Sequence, residues 1–276
     1  MSSDKLKSDH AKVLYALCAS DGEKPDYKLV GLESAPVYAI DKDGLRAVVS
    51  DTQGGRLRPD RRNIGAHQSV LHALTEAGTV LPIRFGIIAR SAKAVEDLLV
   101  ANQRTIKKHL EQLAGRVEMG LRVSWDVANI YEYYVETHPI LKQGRDEIWN
   151  RNANPGDLRE EKIRLGNLYQ SLRDADRLEF TEKVKNILVN YCEDIVETAV
   201  KKEKDVMDLA CLVERNKLDE FAKGVFDASK LFDNAFLFDY TGPSWAPHNF
   251  TTLNLYEPVS KKGKNSESVE LVEDEP

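Results

Sequence analysis

The feature that most constrains this chain is a ten-residue segment, RVEMGLRVSW at residues 116–125, in which apolar and polar side chains alternate. The odd-numbered positions from Val117 to Trp125 are apolar, whereas Glu118 and Arg122 fall on the opposite side. A repeat of two residues is the period of a β-strand, whose successive side chains point to opposite faces of a sheet. The segment therefore predicts a half-buried strand whose apolar face must be covered by other elements.

Before this strand the pattern predicts a sheet with helices. Residues 13–18 are apolar and β-prone and predict a first strand. Residues 37–40 and 45–49 flank a polar turn that ends in Gly44 and predict an antiparallel hairpin. A helix capped by Asn63 is expected to end at Gly78, and residues 80–88 then predict a strand at a sheet edge, because Pro82 lacks an N–H. Ser91 is expected to cap one long helix ending at residue 115.

After the alternating strand the pattern becomes mainly helical. Turn residues at 152–156, followed by Asp157 as a capping residue, predict a break between helices. Residues 158–199 predict a long helix or helical pair, and strands at 206–213 and 235–240 flank a helix at 217–226. This order suggests the ferredoxin-like βαββαβ arrangement, although its fourth strand is left unplaced within residues 130–200.

A chain of 276 residues is longer than one average domain. The predicted fold class is α+β: an N-terminal α+β domain (residues 1–114) is followed by a modified ferredoxin-like domain with a long helical insertion (residues 115–258). Residues 259–276 are polar and poor in aromatic side chains, so they are expected to be a disordered tail.

Composition narrows the class of protein. The net charge of −6 comes from interspersed charges of both signs and predicts no nucleic-acid partner. No apolar run reaches the roughly 18 residues needed to cross a bilayer, and the first ten residues lack a signal-peptide stretch, so a soluble cytoplasmic protein without membrane insertion is expected. Cys18, Cys192 and Cys211 are far apart in sequence and are interpreted as small core residues.

An arginine-rich loop is the first candidate binding segment. GGRLRPDRRN (residues 54–63) concentrates arginines, among them Arg56 and Arg58, in a segment that glycine and proline mark as a loop. It is either a solvated mobile loop or a docking arm for an acidic partner.

A second candidate is a polar group formed by Arg84, Glu118 and His67. Alternation places Arg84 opposite its apolar neighbours and Glu118 opposite Val117, so the three side chains are expected to meet on one sheet face. The group is either an ordinary surface ion pair or a polar binding site to which Arg84 contributes. His67 and His72 are five residues apart, which misses the spacing of two metal ligands on one helix face.

The segment at residues 236–250, FLFDYTGPSWAPHNF, is rich in aromatic rings. Beyond Gly242 and Pro243 it cannot continue as a paired strand. Trp245 and Phe250 therefore either fold back over their own domain or remain available for a partner.

Motifs for catalysis are not found in the sequence. It contains no GxGxxG or GxxxxGK phosphate loop and no GxSxG elbow, and no nucleophile has an evident partner. No enzyme activity, catalytic residue, cofactor or metal ligand is predicted.

Four blocks in order resemble the gas vesicle protein F/L family: AHQSVLHAL (residues 66–74), TVLPIRFG (79–86), GRVEMGLRVSWD (115–126) and GPSWAPHNF (242–250). In the last block Ser244 precedes Trp245, and His248 stands where an aromatic residue is more usual. The resemblance implies an accessory protein of gas vesicle formation without enzyme activity, which binds the small hydrophobic (A-type) shell protein and other accessory proteins.

The hypothesis is therefore a chaperone-like or nucleation adaptor for gas vesicle assembly, located in the cytoplasm and at the gas vesicle. A soluble partner that offers sheet edges, a long helix or an aromatic turn would cover an apolar shell subunit before assembly. The alternative is a minor structural constituent retained in the vesicle wall, which a denaturant wash of mature vesicles would distinguish. A small-molecule enzyme or sensor is a further class that the fold alone leaves open.

Overall fold

The computed structural model describes residues 10–23, 25–53, 57–150, 158–243 and 246–251. Contacts divide the chain into two compact units, Met1–Glu118 with Pro243–Pro276, and Met119–Gly242. The predicted domain boundaries stay a prediction, and the proposed tail at residues 259–276 lies outside the described residues. Each unit is an antiparallel sheet with helices, which confirms the α+β class.

The sheet of the first unit has the strand order β2-β3-β1-β4, and β5 also pairs with β1. Its three longer strands are β1 (Ala11–Ala19), β2 (Val37–Lys42) and β3 (Leu45–Thr52). The predicted hairpin is confirmed: β2 and β3 are joined by two residues, Asp43 and Gly44, with φ of 50° and 77°. Positive φ at both positions is the geometry that matches the right-handed twist of paired strands, and Asp-Gly accommodates it.

The single strand predicted at residues 80–88 is wrong. Two short strands, β4 (Leu81–Pro82) and β5 (Ile88–Ala89), are separated by a turn in which Gly86 has a φ of 94°. That left-handed backbone cannot continue a strand, and glycine adopts it without the steric cost that a side chain would bring.

In the part of the first unit that the structure describes there are three α-helices: α1 (Arg61–Ala77), α2 (Ala92–Ala101) and α3 (Gln103–Leu113). The predicted cap of α1 is wrong, since the Asp60 side chain accepts from the Asn63 N–H, whereas the Ser91 cap of α2 is confirmed. The long helix predicted from Ser91 to residue 115 is broken at Asn102, whose side chain donates to the Leu98 carbonyl. Asparagine competes with helical hydrogen bonds in this way and ends the helix early.

The second unit is built on the alternating segment. It forms β6 (Arg116–Trp125), in which every second residue is buried, as predicted. Its sheet has the order β7-β8-β6-β9, with β7 (Asp194–Glu197), β8 (Asp205–Glu214) and β9 (Phe236–Thr241). The strand that sequence reasoning left unplaced is therefore β7, and the element order is β-α-β-β-α-β.

The described residues of this unit form four α-helices: α4 (Ile130–Thr137), α5 (Pro139–Trp149), α6 (Arg159–Leu188) and α7 (Leu218–Ser229). The predicted turn at residues 152–156, with Asp157, lies outside the described residues. The helix predicted to reach residue 199 ends at Leu188. Tyr191 then packs against Gly224 of α7, where an added methyl carbon would lie 2.5 Å from the tyrosine ring. Packing on α7 thus redirects the chain into β7.

Candidate functional site

A buried histidine stands at the centre of the polar group in the first unit. His67 on α1 is 1% exposed, and its Nε2 lies 2.9 Å from the carbonyl oxygen of Ile83. Because a carbonyl can only accept, the proton must be on Nε2. The ring packs beside Tyr15 and Phe85 at centroid distances of 5.2 and 5.7 Å. His67 therefore joins α1 to the segment that follows β4.

The environment of His67 keeps its ring neutral. Burial lowers its pKa from the usual value, the hydrogen bond to Ile83 works in the opposite direction, and the nearby His248 lowers it further. Its Nδ1 has no hydrogen-bond partner within the part of the chain that the structure describes. A proton added there would be buried without a counter-charge, which is unfavourable.

We expect the first unit to lose stability as the pH falls below about 6.5, the ordinary pKa of histidine. Below that pH the unfolded chain takes up a proton at His67 before the folded protein does, because the folded pKa is depressed. His67→Gln should make the free energy of unfolding, measured by urea titration at pH 7.5 and 5.5, less dependent on pH, by at most about 1.4 kcal/mol per unit.

The matched control is His72→Gln, on the same helix but exposed. His248, whose pKa is also lowered, adds a pH dependence of the same sign that both variants retain. Equal pH dependence of the two variants would contradict the assignment to His67.

Arg84 follows Ile83 and is exposed. Within the described residues its guanidinium makes no hydrogen bond or ion pair, but it lies near His248. Loss of solvation around the imidazole ring is the main cause that lowers the pKa of His248, and the Arg84 charge lowers it further. The residue as a whole is nevertheless exposed. Arg84 thus presents at the surface a positive charge that no described residue pairs with.

Glu118 holds the segment of residues 246–251. Its carboxylate accepts from the backbone N–H and from Nδ2 of Asn249, at 2.9 and 2.7 Å. Burial raises the pKa of Glu118, while these two hydrogen bonds oppose that rise. Ala246 and Pro247 are buried, and the described part of this segment belongs to the first unit, not to the C-terminal domain over which it was expected to fold. For Trp245 and Phe250 the choice between folding back and binding a partner stays a prediction.

The predicted group of Arg84, Glu118 and His67 is not joined directly. His248 lies near both Arg84 and His67, while Asn249 binds Glu118. Sequence reasoning missed these two residues as members of the group. Both residues belong to the GPSWAPHNF block, of which only the aromatic residues Trp245 and Phe250 were predicted to bind a partner.

The remaining candidate residues are only partly placed by the structure. Arg58 is exposed, and its carbonyl accepts from the Asn63 side chain at 3.0 Å. Phe250 is half-buried. Arg56 and Trp245 lie outside the described residues.

An apolar groove in the second unit was not predicted. It has a volume of about 330 Å³ and runs between α6, which contributes Leu178 and Thr181, and a second wall formed by residues 197–200 and 206–209. Leu178 and Val200 both line the groove, and their side chains are 66% and 38% exposed. No local sequence signal could reveal it, because its walls are distant along the chain.

A strand edge lies beside this groove. In the described sheet β7 pairs only with β8, so one side of its backbone has no strand partner. Glu197, at the end of β7, accepts from Lys185 of α6 at 2.7 Å and keeps the helix beside the strand. The groove and the strand edge together form a surface that combines apolar side chains with backbone hydrogen-bonding groups.

The described residues, 10–23, 25–53, 57–150, 158–243 and 246–251, lack two kinds of feature. They contain no group of three or more histidine, cysteine or acidic side chains placed to hold a metal ion. None of their helices has both the length and the apolar character needed to span a bilayer.

Fold and surfaces together define an α+β protein of two antiparallel-sheet units. The family model described as "Gas vesicle synthesis protein GvpL/GvpF" matches residues 11–252, and the chain belongs to that family. It accordingly has a role in gas vesicle formation.

Individual relatives agree with this assignment. The chain is 25% identical over 228 residues to gas vesicle protein F of Microcystis aeruginosa (strain PCC 7806), covering 82% of this chain and 91% of that one. It is 30% identical over 200 residues to gas vesicle protein F of Streptomyces sp. (strain CB03234), covering 71% and 80%. The crystal structure of GvpF from Anabaena sp. PCC7120 superposes with a TM-score of 0.73 at 24% identity, over 88% of this chain and 99% of that one. This last likeness shows the shared fold.

Proposed function

We propose that this protein binds the small hydrophobic shell protein of the gas vesicle and other accessory proteins in the cytoplasm, as a chaperone-like or nucleation adaptor during assembly. In this role it shields apolar surface of the shell subunit until the subunit is incorporated, and no catalytic step is required. The proposal rests on family membership and on the apolar groove beside β7.

The exposed apolar wall of the groove is the observation that carries the proposal. Leu178 is two-thirds exposed on a helix whose neighbouring positions are largely charged. A groove of about 330 Å³ accommodates one or two large aliphatic side chains from a partner. Burying such side chains stabilises a complex by roughly 1.5–3 kcal/mol each, which an apolar shell subunit can supply.

The open edge of β7 adds a second kind of contact. An extended segment of the shell protein laid along Asp194–Glu197 would form backbone hydrogen bonds while its side chains enter the groove. The acidic residues at both ends of this short strand disfavour pairing with a second copy of the same edge. The edge is thereby suited to a different partner.

Contacts with other accessory proteins are assigned to the first unit in this proposal. Arg84 and Arg58 are exposed cations without an ion pair among the described residues, and they suit an acidic partner surface. Arg56, Trp245 and Phe250 complete the set of proposed contacts.

The test is co-purification of the full chain with the shell protein, followed by quantification of the retained shell subunit. Leu178→Glu is expected to lower retention roughly tenfold, because a carboxylate in the groove would have to be desolvated when the apolar partner binds. Ile163→Glu is the matched control, since Ile163 is a half-exposed apolar residue of the same helix outside the groove.

Circular dichroism should show that both variants keep the fold of the parent. Absence of any association between the two folded wild-type proteins would overturn shell binding, and equal retention by the two variants would overturn the groove as its site.

A second experiment uses Arg84→Ala, which should weaken retention of other accessory proteins while leaving the fold intact. Normal retention by that folded variant would remove Arg84 from the proposed contacts.

A further inference from the structure

The last strand of the second unit, β9, lies at the edge of its sheet that is farther from the groove. In the order β7-β8-β6-β9 it pairs with β6, and no described strand pairs with its other side. It is six residues long, and its exposed residues include Leu237, Asp239 and Tyr240. An edge of this length and exposure is a template on which a further strand can pair.

Two backbone hydrogen bonds fix the direction in which the residues at the start of β9 point. The Asp126 N–H donates to the Ala235 carbonyl at 2.7 Å, one position beyond the paired strands. The Trp125 N–H instead donates at 2.9 Å to the carbonyl of Lys204, which directly precedes β8. Asp126 and Ala235 are therefore a hydrogen-bonded pair, whereas Trp125 turns its backbone away from β9.

The alternation of such pairs determines which backbone groups of β9 face the open side. Hydrogen-bonded and non-hydrogen-bonded pairs alternate along antiparallel strands. In the register of β6 and β9, three residues bond to β6: Leu237, Asp239 and Thr241. The N–H and C=O groups of Phe238 and Tyr240 consequently point away from β6 and are available to another strand.

The face of β9 that carries the aromatic side chains is apolar. The Phe232 ring lies 4.9 Å from that of Phe236 and 5.2 Å from that of Phe238. The Phe221 ring of α7 lies 6.3 Å from that of Tyr240, which is nevertheless 46% exposed. A strand added beside β9 would therefore cover these rings best with apolar side chains.

The opposite face of β9 carries an acidic charge. Asp239 lies opposite Arg122 of β6, but Nε and Nη2 of Arg122 both donate to Asp208, at 3.2 and 2.8 Å. The Asp239 carboxylate itself makes no hydrogen bond or ion pair with any residue that the structure describes. A cation placed opposite Asp239 on an added strand would complement this charge, and the net charge of −6 favours a basic partner in the same way.

We propose that β9 is a docking edge for an extended segment of a partner protein, which pairs antiparallel with β9 and places a lysine or arginine opposite Asp239. The backbone of the segment bonds to Phe238 and Tyr240, and apolar residues on both sides of its cation cover their rings. This site is separate from the groove beside β7, because β9 is the other edge of the sheet.

A second copy of this chain is a poorer occupant of the same edge. Antiparallel pairing of two β9 strands with Phe238 opposite Tyr240 would set their Asp239 carboxylates directly opposite each other. With either aromatic residue opposite its own copy, the two carboxylates would be diagonal neighbours. Like charges in these positions destabilise a pair of strands, so Asp239 disfavours self-pairing and selects a cationic partner.

The first measurement is amide hydrogen exchange of the free full chain, followed by NMR. The amides of Leu237 and Asp239, which bond to β6, are expected to exchange at least tenfold more slowly than those of Phe238 and Tyr240. Equal protection of the four amides would mean that the edge is already covered in the free protein, and would overturn the proposal.

The second measurement adds a probe, a synthetic nonapeptide in which threonine and valine alternate around a central lysine flanked by valines. It should shift the amide signals of Phe238 and Tyr240 and slow their exchange. A control peptide with glutamate at its centre should bind about fivefold more weakly. Asp239→Lys, a change at an exposed position, should reverse this preference because it exchanges attraction for repulsion.

The backbone contact is tested by a matched pair of variants at an exposed position. Tyr240→Pro removes an N–H that points away from β6, so it should abolish binding of the lysine peptide. Tyr240→Ala loses the same ring but keeps this N–H, and it should retain measurable binding. Equal binding by the two folded variants would remove the main-chain hydrogen bond from the proposal.

Three further outcomes would overturn docking at β9. They are the absence of any signal change with the lysine peptide, shifts at Ile195 and Glu197 of β7 in place of β9, and equal preference of the parent and Asp239→Lys for the two peptides. A dimer of the free chain in analytical ultracentrifugation that Tyr240→Pro dissociates would identify a second copy as the occupant. Because no shell protein is present, these results are independent of the shell-binding experiment.

Discussion

Trp125→Ala is expected to lower the free energy of unfolding of the second unit by about 3–5 kcal/mol, the range for deleting a large buried aromatic side chain. Trp125 is 2% exposed at the end of β6. Its ring lies 5.6 Å from that of Tyr134 and 6.3 Å from that of Phe236, and the Arg177 guanidinium lies over it at 5.6 Å. The truncation leaves a cavity where α4, α6 and β9 meet β6.

Trp149→Ala is the matched control, since it makes the same chemical change at a side chain that is 83% exposed. Its effect on unfolding should stay within about 0.5 kcal/mol. Urea titration followed by far-UV circular dichroism measures both variants without relying on tryptophan fluorescence. A loss below about 1 kcal/mol for Trp125→Ala, or equal losses in the two variants, would show that Trp125 is not central to this core.

The second large effect is expected for Tyr15→Phe in the first unit, about 1–3 kcal/mol of lost stability. The Tyr15 hydroxyl is fully buried, accepts from the Leu32 N–H at 2.8 Å and shares a hydrogen bond of 2.8 Å with the Ser50 hydroxyl. Removing one oxygen leaves the backbone N–H of Leu32 and the Ser50 hydroxyl without this partner in a dry core. Unsatisfied buried donors account for the expected cost.

Tyr133→Phe removes the same atom from a half-buried phenol that makes no hydrogen bond through its hydroxyl among the described residues. It should change the free energy of unfolding by less than about 0.5 kcal/mol. Thermal and urea unfolding of the two variants give the comparison. Equal stability of Tyr15→Phe and the parent would mean that water replaces the lost hydroxyl at Leu32.

Local patterns predicted the elements whose cause is local. The alternation of residues 116–125 predicted β6 because one covered face requires a period of two. The polar turn ending in Gly44 predicted the hairpin because glycine tolerates a positive φ, and Ser91 predicted the start of α2 because its hydroxyl caps a free N–H. Where neighbouring residues offered competing choices, as between Asp60 and Asn63, sequence reasoning selected the wrong cap.

The candidate site was only partly accessible to sequence reasoning. His67, Arg84 and Glu118 were identified from their faces, but the pairing of Glu118 with Asn249 spans 131 positions. Burial of His67, and therefore its tautomer and depressed pKa, depends on Tyr15 and Phe85. Such environments arise only when separate elements pack together.

By itself the sequence determined the α+β class, the main strands and the membership of the gas vesicle family, because periodicity, turn residues and an ordered series of blocks are properties of the linear chain. Tertiary structure decided where α6 ends, which strand fills the fourth place in the second sheet, and that Leu178 faces an apolar groove beside β7. The physical reason is that hydrogen-bonding order and register between strands set which distant residues meet, and these depend on the packing of the whole unit.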